Sequence, residues 1–178
     1  MDAIQQLKRK INDLNLWSKK VVLKRNEYLI QPGAVERHIY FIDEGTIRAY
    51  IEDDGEEQII RFAYRNSIFT ALDSFLTGKP TRFYLQAIKQ CKLQGVEKKD
   101  FEDLMHSSEE NTRLYLLMLQ EFVVQQMERE VDILTSSPVE RYKRVLERSP
   151  HLFQEIPSKH IASYLRMTPE TLSRIKKS

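Results

Sequence analysis

His38-Ile-Tyr-Phe-Ile leads into Asp43-Glu-Gly45, and Ile47-Arg-Ala-Tyr-Ile51 leads into Asp53-Asp-Gly55. Each run is rich in β-branched and aromatic side chains, which suit a pleated, partly buried surface, and each closes in an acidic–glycine turn. The stretch reads as consecutive antiparallel strands. The pattern repeats on either side. A period of two begins near Val21, Glu27-Tyr-Leu-Ile leads into Gln31-Pro-Gly33, and Gln58 to Tyr64 reads as a strand in which Ile60, Phe62 and Tyr64 alternate. Gly33, Gly45, Gly55 and Gly95 fall at such turns or near strand ends, where positive φ is most often needed. Short strands at this spacing imply an antiparallel roll or sandwich.

Outward from the strands the period becomes helical. Residues from Met1 to about Leu16 place Ile4, Leu7, Ile11 and Leu14 on one face. A helix-like stretch begins at Asp100, and from about Ser108 the pattern continues unbroken to Leu134. There Leu116, Leu119, Val123, Met127, Val131 and Leu134 step by three or four residues, a seam suited to a partner helix. A helix wholly inside one subunit is the alternative. Ser137-Pro-Val-Glu140 is a capping box with proline at the first helical position, and Thr168-Pro again sets a hydroxyl before a proline. The expected organisation is residues 1–107 as a sensor roll with its N-terminal helix, 108–135 as a long dimerisation helix, and 136–178 as a small terminal domain.

That terminal domain contains Ser158-Lys-His-Ile-Ala-Ser-Tyr-Leu-Arg-Met-Thr-Pro-Glu-Thr-Leu-Ser-Arg-Ile-Lys-Lys177. Ile161 and Leu165 would be buried by a first helix, with small Ala162 at its close approach to a second. Met167 would lie in the turn, and Leu172 and Ile175 on the inner face of the second helix. This is the pattern of a helix-turn-helix, in which the second helix enters the major groove. Arg166 stands where the motif usually has glycine for a left-handed turn, at a cost of roughly 1 kcal/mol. The outward face is then Pro169, Glu170, Ser173 and Arg174, with Lys176 and Lys177 at the end. Arginine pairs with guanine, glutamate accepts from cytosine, and lysines suit phosphates. Thr168 and Lys159 complete the candidate DNA-binding set, and an ordinary helical hairpin is the alternative.

Charge agrees with this division. From Ser136 onward nine Lys and Arg stand against four Glu, a net +5 in a chain of total +2, which leaves −3 for the rest. A basic terminal module on an acidic body suits an anionic partner. The lone Cys91 excludes an intrachain disulfide and a cysteine-rich metal site, and is expected to be a small buried hydrophobe. No apolar run approaches the roughly 20 residues needed to cross a bilayer, and the first segment does not resemble a secretory signal. A cytoplasmic protein with no membrane partner is expected. His38, His106, His151 and His160 show no metal spacing, so no metal and no cofactor are expected, and His38 is read as structural. The acidic run Glu52 to Glu57 is read as a charged hairpin turn rather than a calcium loop.

The order of parts resembles the Crp/Fnr family of bacterial regulators over nearly the whole chain. Leu29-Ile-Gln-Pro-Gly33 and Tyr40-Phe-Ile-Asp-Glu-Gly45-Thr-Ile-Arg48 are similar to the family's strand–glycine–strand signature, and Glu170-Thr-Leu-Ser173-Arg174 to its recognition-helix pattern. The resemblance implies an α+β fold: an antiparallel β-roll of the cyclic-nucleotide-binding-like, double-stranded β-helix kind, a long dimerisation helix and a helix-turn-helix. It implies base contacts from Glu170, Ser173 and Arg174, a homodimer on palindromic double-stranded DNA, and RNA polymerase as a further partner. In cAMP-binding members a Gly-Glu pair opens a short helix, and an Arg-Ser/Thr pair some ten residues later grips the phosphate. An ungapped alignment puts Thr70-Ala71 and Thr81-Arg82 there. Two lost contacts of about 1.5–3 kcal/mol each weaken binding by about two to four orders of magnitude. The expectation is an effector other than cAMP, with Thr70, Ala71, Thr81, Arg82 and Tyr84 as the candidate pocket. A ligand-binding module whose tail docks protein and a cupin-like enzyme remain as alternatives to this non-enzymatic reading.

Overall fold

A computed structural model describes residues 3–177. Met1 and Asp2, the first residues of the predicted N-terminal helix, and Ser178 lie outside them. In chain order the elements are α1 (Ala3–Asp13), β1 (Lys19–Leu23), β2 (Tyr28–Ile30), β3 (His38–Glu44), β4 (Thr46–Asp53), β5 (Glu56–Tyr64), β6 (Ile68–Phe69) and α2 (Leu72–Thr77). There follow β7 (Tyr84–Ala87), β8 (Cys91–Glu97), α3 (Lys98–His106), α4 (Glu109–Leu134), α5 (Pro138–Arg148), α6 (Pro150–Glu155), α7 (Ser158–Tyr164) and α8 (Pro169–Ile175). The fold is α+β with two four-stranded sheets, ordered β1-β8-β3-β6 and β2-β7-β4-β5; every strand pairing resolved residue by residue is antiparallel.

The chain divides into two compact units: residues up to Ile51 with Arg61–Leu119, and Glu52–Ile60 with the chain from Gln120 onward. In the first, strand alternation sorts side chains between two cores. Tyr40 and Ile42 of β3 join Leu93, Ile47, Ala49, Leu85 and Ala87 in one cluster drawn from both sheets. Ile39 and Phe41 point the other way, into a second cluster with Leu7 and Ile11 of α1 and Phe101, Leu104 and Met105 of α3. The turn at Gly45 is sterically fixed. Its φ is +93°, and an added Cβ would lie 2.2 Å from the Gln90 carbonyl oxygen and 2.6 Å from Cys91 Sγ. Cys91 is fully buried, as read, and burial pushes its thiol pKa up. The acidic run is the predicted hairpin turn, with Asp54 and Gly55 both at positive φ.

Two details of the sequence reading are corrected and two are added. Leu14 is exposed rather than on the buried face of α1, because the helix closes at Asp13 through left-handed Asn15 (φ +53°). Gly95 sits inside β8 without positive φ; it is small because the Tyr40 ring would lie 3.1 Å from a Cβ there. Gly78, not singled out, is the left-handed residue that ends α2. In β5 the fully buried residues are Ile59 and Ala63, whereas Ile60, Phe62 and Tyr64 are only half-buried. No helix among the described residues is long and apolar enough to cross a membrane.

Candidate nucleic-acid interface and sensor cassette

In the second unit, α7 and α8 share a small core of Ile161, Ala162, Tyr164, Leu165 and Leu172, with Ile175 half-buried. Between the helices Arg166 takes φ +51°, the left-handed conformation that glycine would adopt without strain. Arg141 of α5 supports that turn. Its Nε donates to the Leu165 carbonyl at 2.9 Å and its Nη2 to the Arg166 carbonyl at 3.2 Å. Its Nη1 meanwhile donates to the carbonyls of Thr135 and Ser136, just past the end of α4. One guanidinium thus satisfies carbonyls at two chain reversals, where intrahelical partners run out. The Ser137 and Thr168 hydroxyls accept from the backbone N–H groups of Glu140 and Thr171, so both predicted caps form.

On α8 the caps fix which side chains face outward. Pro169, Glu170, Ser173, Arg174, Lys176 and Lys177 are exposed, as is Lys159 on α7. Thr168 is exposed too, with its oxygen engaged in the cap. Arg174 rests 3.5 Å from the Thr171 hydroxyl, and Lys176 Nζ donates to the Ser158 hydroxyl at 3.1 Å. The Glu170 carboxyl is held below the usual carboxylate range by its own N–H and the Thr168 hydroxyl, so it stands as an ionised acceptor. This face pairs fixed acceptors and donors with two terminal cations, which is a chemistry for base edges and phosphates.

The support beneath this pair is ionic. Asp132 of α4 is fully buried and receives Arg144 Nε at 3.3 Å and the Arg148 guanidinium. Glu128, one turn earlier, receives both arginines as well. On α4 the seam residues Leu116, Leu119, Val123, Met127, Val131 and Leu134 are all exposed, as are Leu117 and Val124.

In the first unit, the five candidate pocket residues meet different partners. Ala71 is buried in the inter-sheet core. Thr70 donates to the His38 carbonyl, and Arg82 is exposed beside the Phe83 ring. Tyr84 lies on the opposite face of β7 from the core residues Leu85 and Ala87, stacked on Tyr50 with ring centroids 4.8 Å apart. Alternation along β7 turns Tyr84 away from the core, whereas Thr81 and Arg82, which precede that strand, meet at Asp73 beside Ala71 and the start of α2. Sequence reasoning missed Asp73. Its Oδ1 accepts from the Thr81 hydroxyl and the Ser74 N–H at 2.8 Å each, and its Oδ2 from the Arg82 N–H at 3.3 Å. A phosphate brought to these donors would meet a carboxylate already there, and Ala71 offers nothing to a ribose. The residues present do not fit a cyclic nucleotide.

Other chemistry-bearing residues are engaged within the fold. His38 Nδ1 lies 3.2 Å from Glu36 Oε1, and that half of the carboxylate also receives the backbone N–H groups of Arg37 and His38. Among the described residues no three His, Cys, Asp or Glu side chains gather in a way that could hold a metal ion.

A family model described as a cyclic nucleotide-binding domain matches residues 20–108, half of this chain. Among solved structures, FixK2 from Bradyrhizobium japonicum is 18% identical, with 89% of this chain and 82% of that one covered at a TM-score of 0.73. CLP of Xanthomonas campestris, described as a c-di-GMP-responsive global regulator, is 14% identical, with 96% and 90% covered at 0.69. The catabolite activator protein of Thermus thermophilus is 16% identical, with 98% and 84% covered at 0.56. These likenesses establish the fold. No curated protein matches the chain at a significant level.

Proposed function

This chain belongs to the cyclic nucleotide-binding domain family, and from that premise we propose that it is a sequence-specific, DNA-binding transcription regulator of Crp/Fnr type. It acts as a cytoplasmic homodimer on a palindromic site and engages RNA polymerase. Residues 1–107 sense, 108–135 dimerise and 136–178 bind DNA. The observation that carries the reading is the outward row Glu170, Ser173 and Arg174, set on a helix pair whose core and left-handed turn are both in place. The names of the structural neighbours, a catabolite activator protein and a global regulator among them, support the same class. The effector is something other than cAMP, since Asp73 already holds the hydroxyl and N–H that a phosphate would need.

Arg174 donates two hydrogen bonds to a guanine, Glu170 accepts from a nearby cytosine, and Ser173 adjusts the neighbouring base. Lys159, Lys176, Lys177 and Thr168 meet the backbone. Selection of bound sequences from random DNA identifies the site. Arg174→Ala then costs about 1–3 kcal/mol per half-site and relaxes one base pair, whereas Lys177→Ala weakens all sequences alike and flattens the salt dependence. Equal loss on selected and scrambled DNA with Arg174→Ala overturns its role as a base reader. Salt-independent retention on DNA would point instead to a tail that docks protein.

A further inference from the structure

Arg166 differs in kind from the other residues of left-handed backbone. Among the described residues, every other positive-φ position is a glycine, an asparagine or an aspartate. Glycine has no Cβ to clash there, and Asn and Asp tolerate the conformation, whereas a long side chain meets the clash in full. The fold leaves Arg166 no alternative. Its N–H donates to the Ser163 carbonyl at 3.0 Å and the Met167 N–H donates to the Ala162 carbonyl at 3.0 Å, the paired bonds of a Schellman turn at the end of α7. On the other side, the Arg166 carbonyl accepts from Arg141. Bonds on both sides thus hold φ at +51°, and the strain persists because its surroundings over-determine it.

The side chain returns nothing to the protein itself. It is exposed, and among the described residues its guanidinium has no hydrogen-bond or ion-pair partner. It also adds like charge. Arg129 of α4 is buried and donates to the Ile59 and Tyr164 carbonyls at 3.1 and 2.8 Å. Burial pulls the pKa of that guanidinium down, and Arg166 is one of the neighbouring cations that add to the effect. A glycine at position 166 would remove both the clash and the repulsion. A residue that costs stability and makes no internal contact points to a role toward something outside the chain.

Its place in the helix pair says what that is. A helix that enters the major groove by its N-terminal residues reads base edges there, while the helix before it crosses the sugar–phosphate backbone. The turn that joins them lies between the two, at the edge of the groove, and Arg166 stands two residues before the Thr168 cap of α8. A guanidinium matches paired phosphate oxygens in charge and geometry. We propose that Arg166 is a phosphate contact, a cation kept in a glycine's place to hold the DNA backbone beside the base-reading row. The contact rests on the proposed DNA-binding role and adds to it a residue whose effects on stability and on binding have opposite signs.

Substitutions in the full-length protein separate charge from strain. Arg166→Gln removes the charge and keeps the clash, Arg166→Gly removes both, and Arg166→Lys keeps both. On the selected site and on scrambled DNA, the Gln and Gly variants should bind about tenfold more weakly per half-site near about 0.1 M salt, equally on both sequences. The slope of log affinity against log salt should fall by about one per half-site, whereas Arg166→Lys should keep the parent's slope. Thermal unfolding should give a different order. Arg166→Gly should melt about 1–4 °C above the parent, because relief of the clash exceeds glycine's entropic cost, and Arg166→Gln should melt close to the parent. Parent-like DNA binding by Arg166→Gln overturns the phosphate contact. So does a loss confined to the selected site, which would make the residue a base reader. A glycine variant that melts below the parent overturns the cost argued for the position. A parent that binds neither DNA at low salt overturns the DNA-binding reading and this contact with it, an outcome that no comparison among the variants can imitate.

Discussion

Val123→Asp tests the dimer most sharply. The six seam residues of α4 range from 36% to 81% exposed in the single chain, so each has roughly half its apolar surface still to bury. Full burial of such side chains is worth about 1.5–3 kcal/mol each, so half-burial contributes roughly 1 kcal/mol. Over both helices that gives about 10–15 kcal/mol, against an association cost estimated at 4–15 kcal/mol. The difference is compatible with a dimer populated at micromolar concentration or below. Val123 lies near the middle of the seam. Aspartate there removes about 1 kcal/mol of burial per chain and asks each chain to bury an unpaired carboxylate or protonate it, costing several kcal/mol per ion. A total of at least about 5 kcal/mol raises the dissociation constant by more than three orders of magnitude. Sedimentation equilibrium at micromolar concentration should give twice the chain mass for the parent and for Val123→Leu, and the chain mass for Val123→Asp. Equal masses for parent and Val123→Asp would refute the seam as the interface.

Arg141→Met removes two partly shielded charged hydrogen bonds and two at the surface, so a loss of about 2–4 kcal/mol is expected, read as a lower urea midpoint followed by a tail-specific probe. Gly45→Ala should be far costlier than a surface substitution, because its methyl would fall 2.2 Å from a backbone oxygen and at a positive φ; soluble, native-like protein with an unchanged melting temperature would contradict this. Calorimetric titration with cAMP should show no binding at micromolar ligand. A micromolar dissociation constant would mean that Asp73 yields its donors.

The terminal helix pair α7–α8 was legible because its signals are local. The hydroxyl–proline start at Thr168, a small alanine and apolar residues three or four apart define it, and neighbours in sequence supply most of the contacts. The turns of the roll were legible for the same reason, since Asp54-Gly55 and Gly45 announce their own backbone conformation. What escaped depends on distant partners. The buried face of β5, that of Ile59 and Ala63, was not legible because both of its faces are at least partly covered, so alternation of apolar residues does not tell inside from outside. Arg129 and Arg141 look like ordinary helix-surface cations. Their partners are carbonyls, some of them dozens of residues away, and every residue type carries one. Asp73 was overlooked because a carboxylate beside a short helix has no spacing signature; only the fold brings Thr81 and Arg82 to it.

The strand order β1-β8-β3-β6 has a consequence for how the protein is made. Its central pairings join Lys19 to Gly95 and Ile39 to Val96, so β8, the last strand to be synthesised, is the one that separates β1 from β3. Until Cys91–Glu97 leaves the ribosome, β1 has no partner in its sheet, and Ile39 and Phe41 lack part of their cover. Closing loops of that length before any reward is slow, which puts the roll among folds that form in milliseconds to seconds rather than microseconds. The helical tail emerges later but is built from near-neighbour contacts, so it can fold as soon as it appears. A chain that stalls with β8 still inside the ribosome would present an open sheet, whereas one that stalls after β8 has emerged has every strand needed to close the roll.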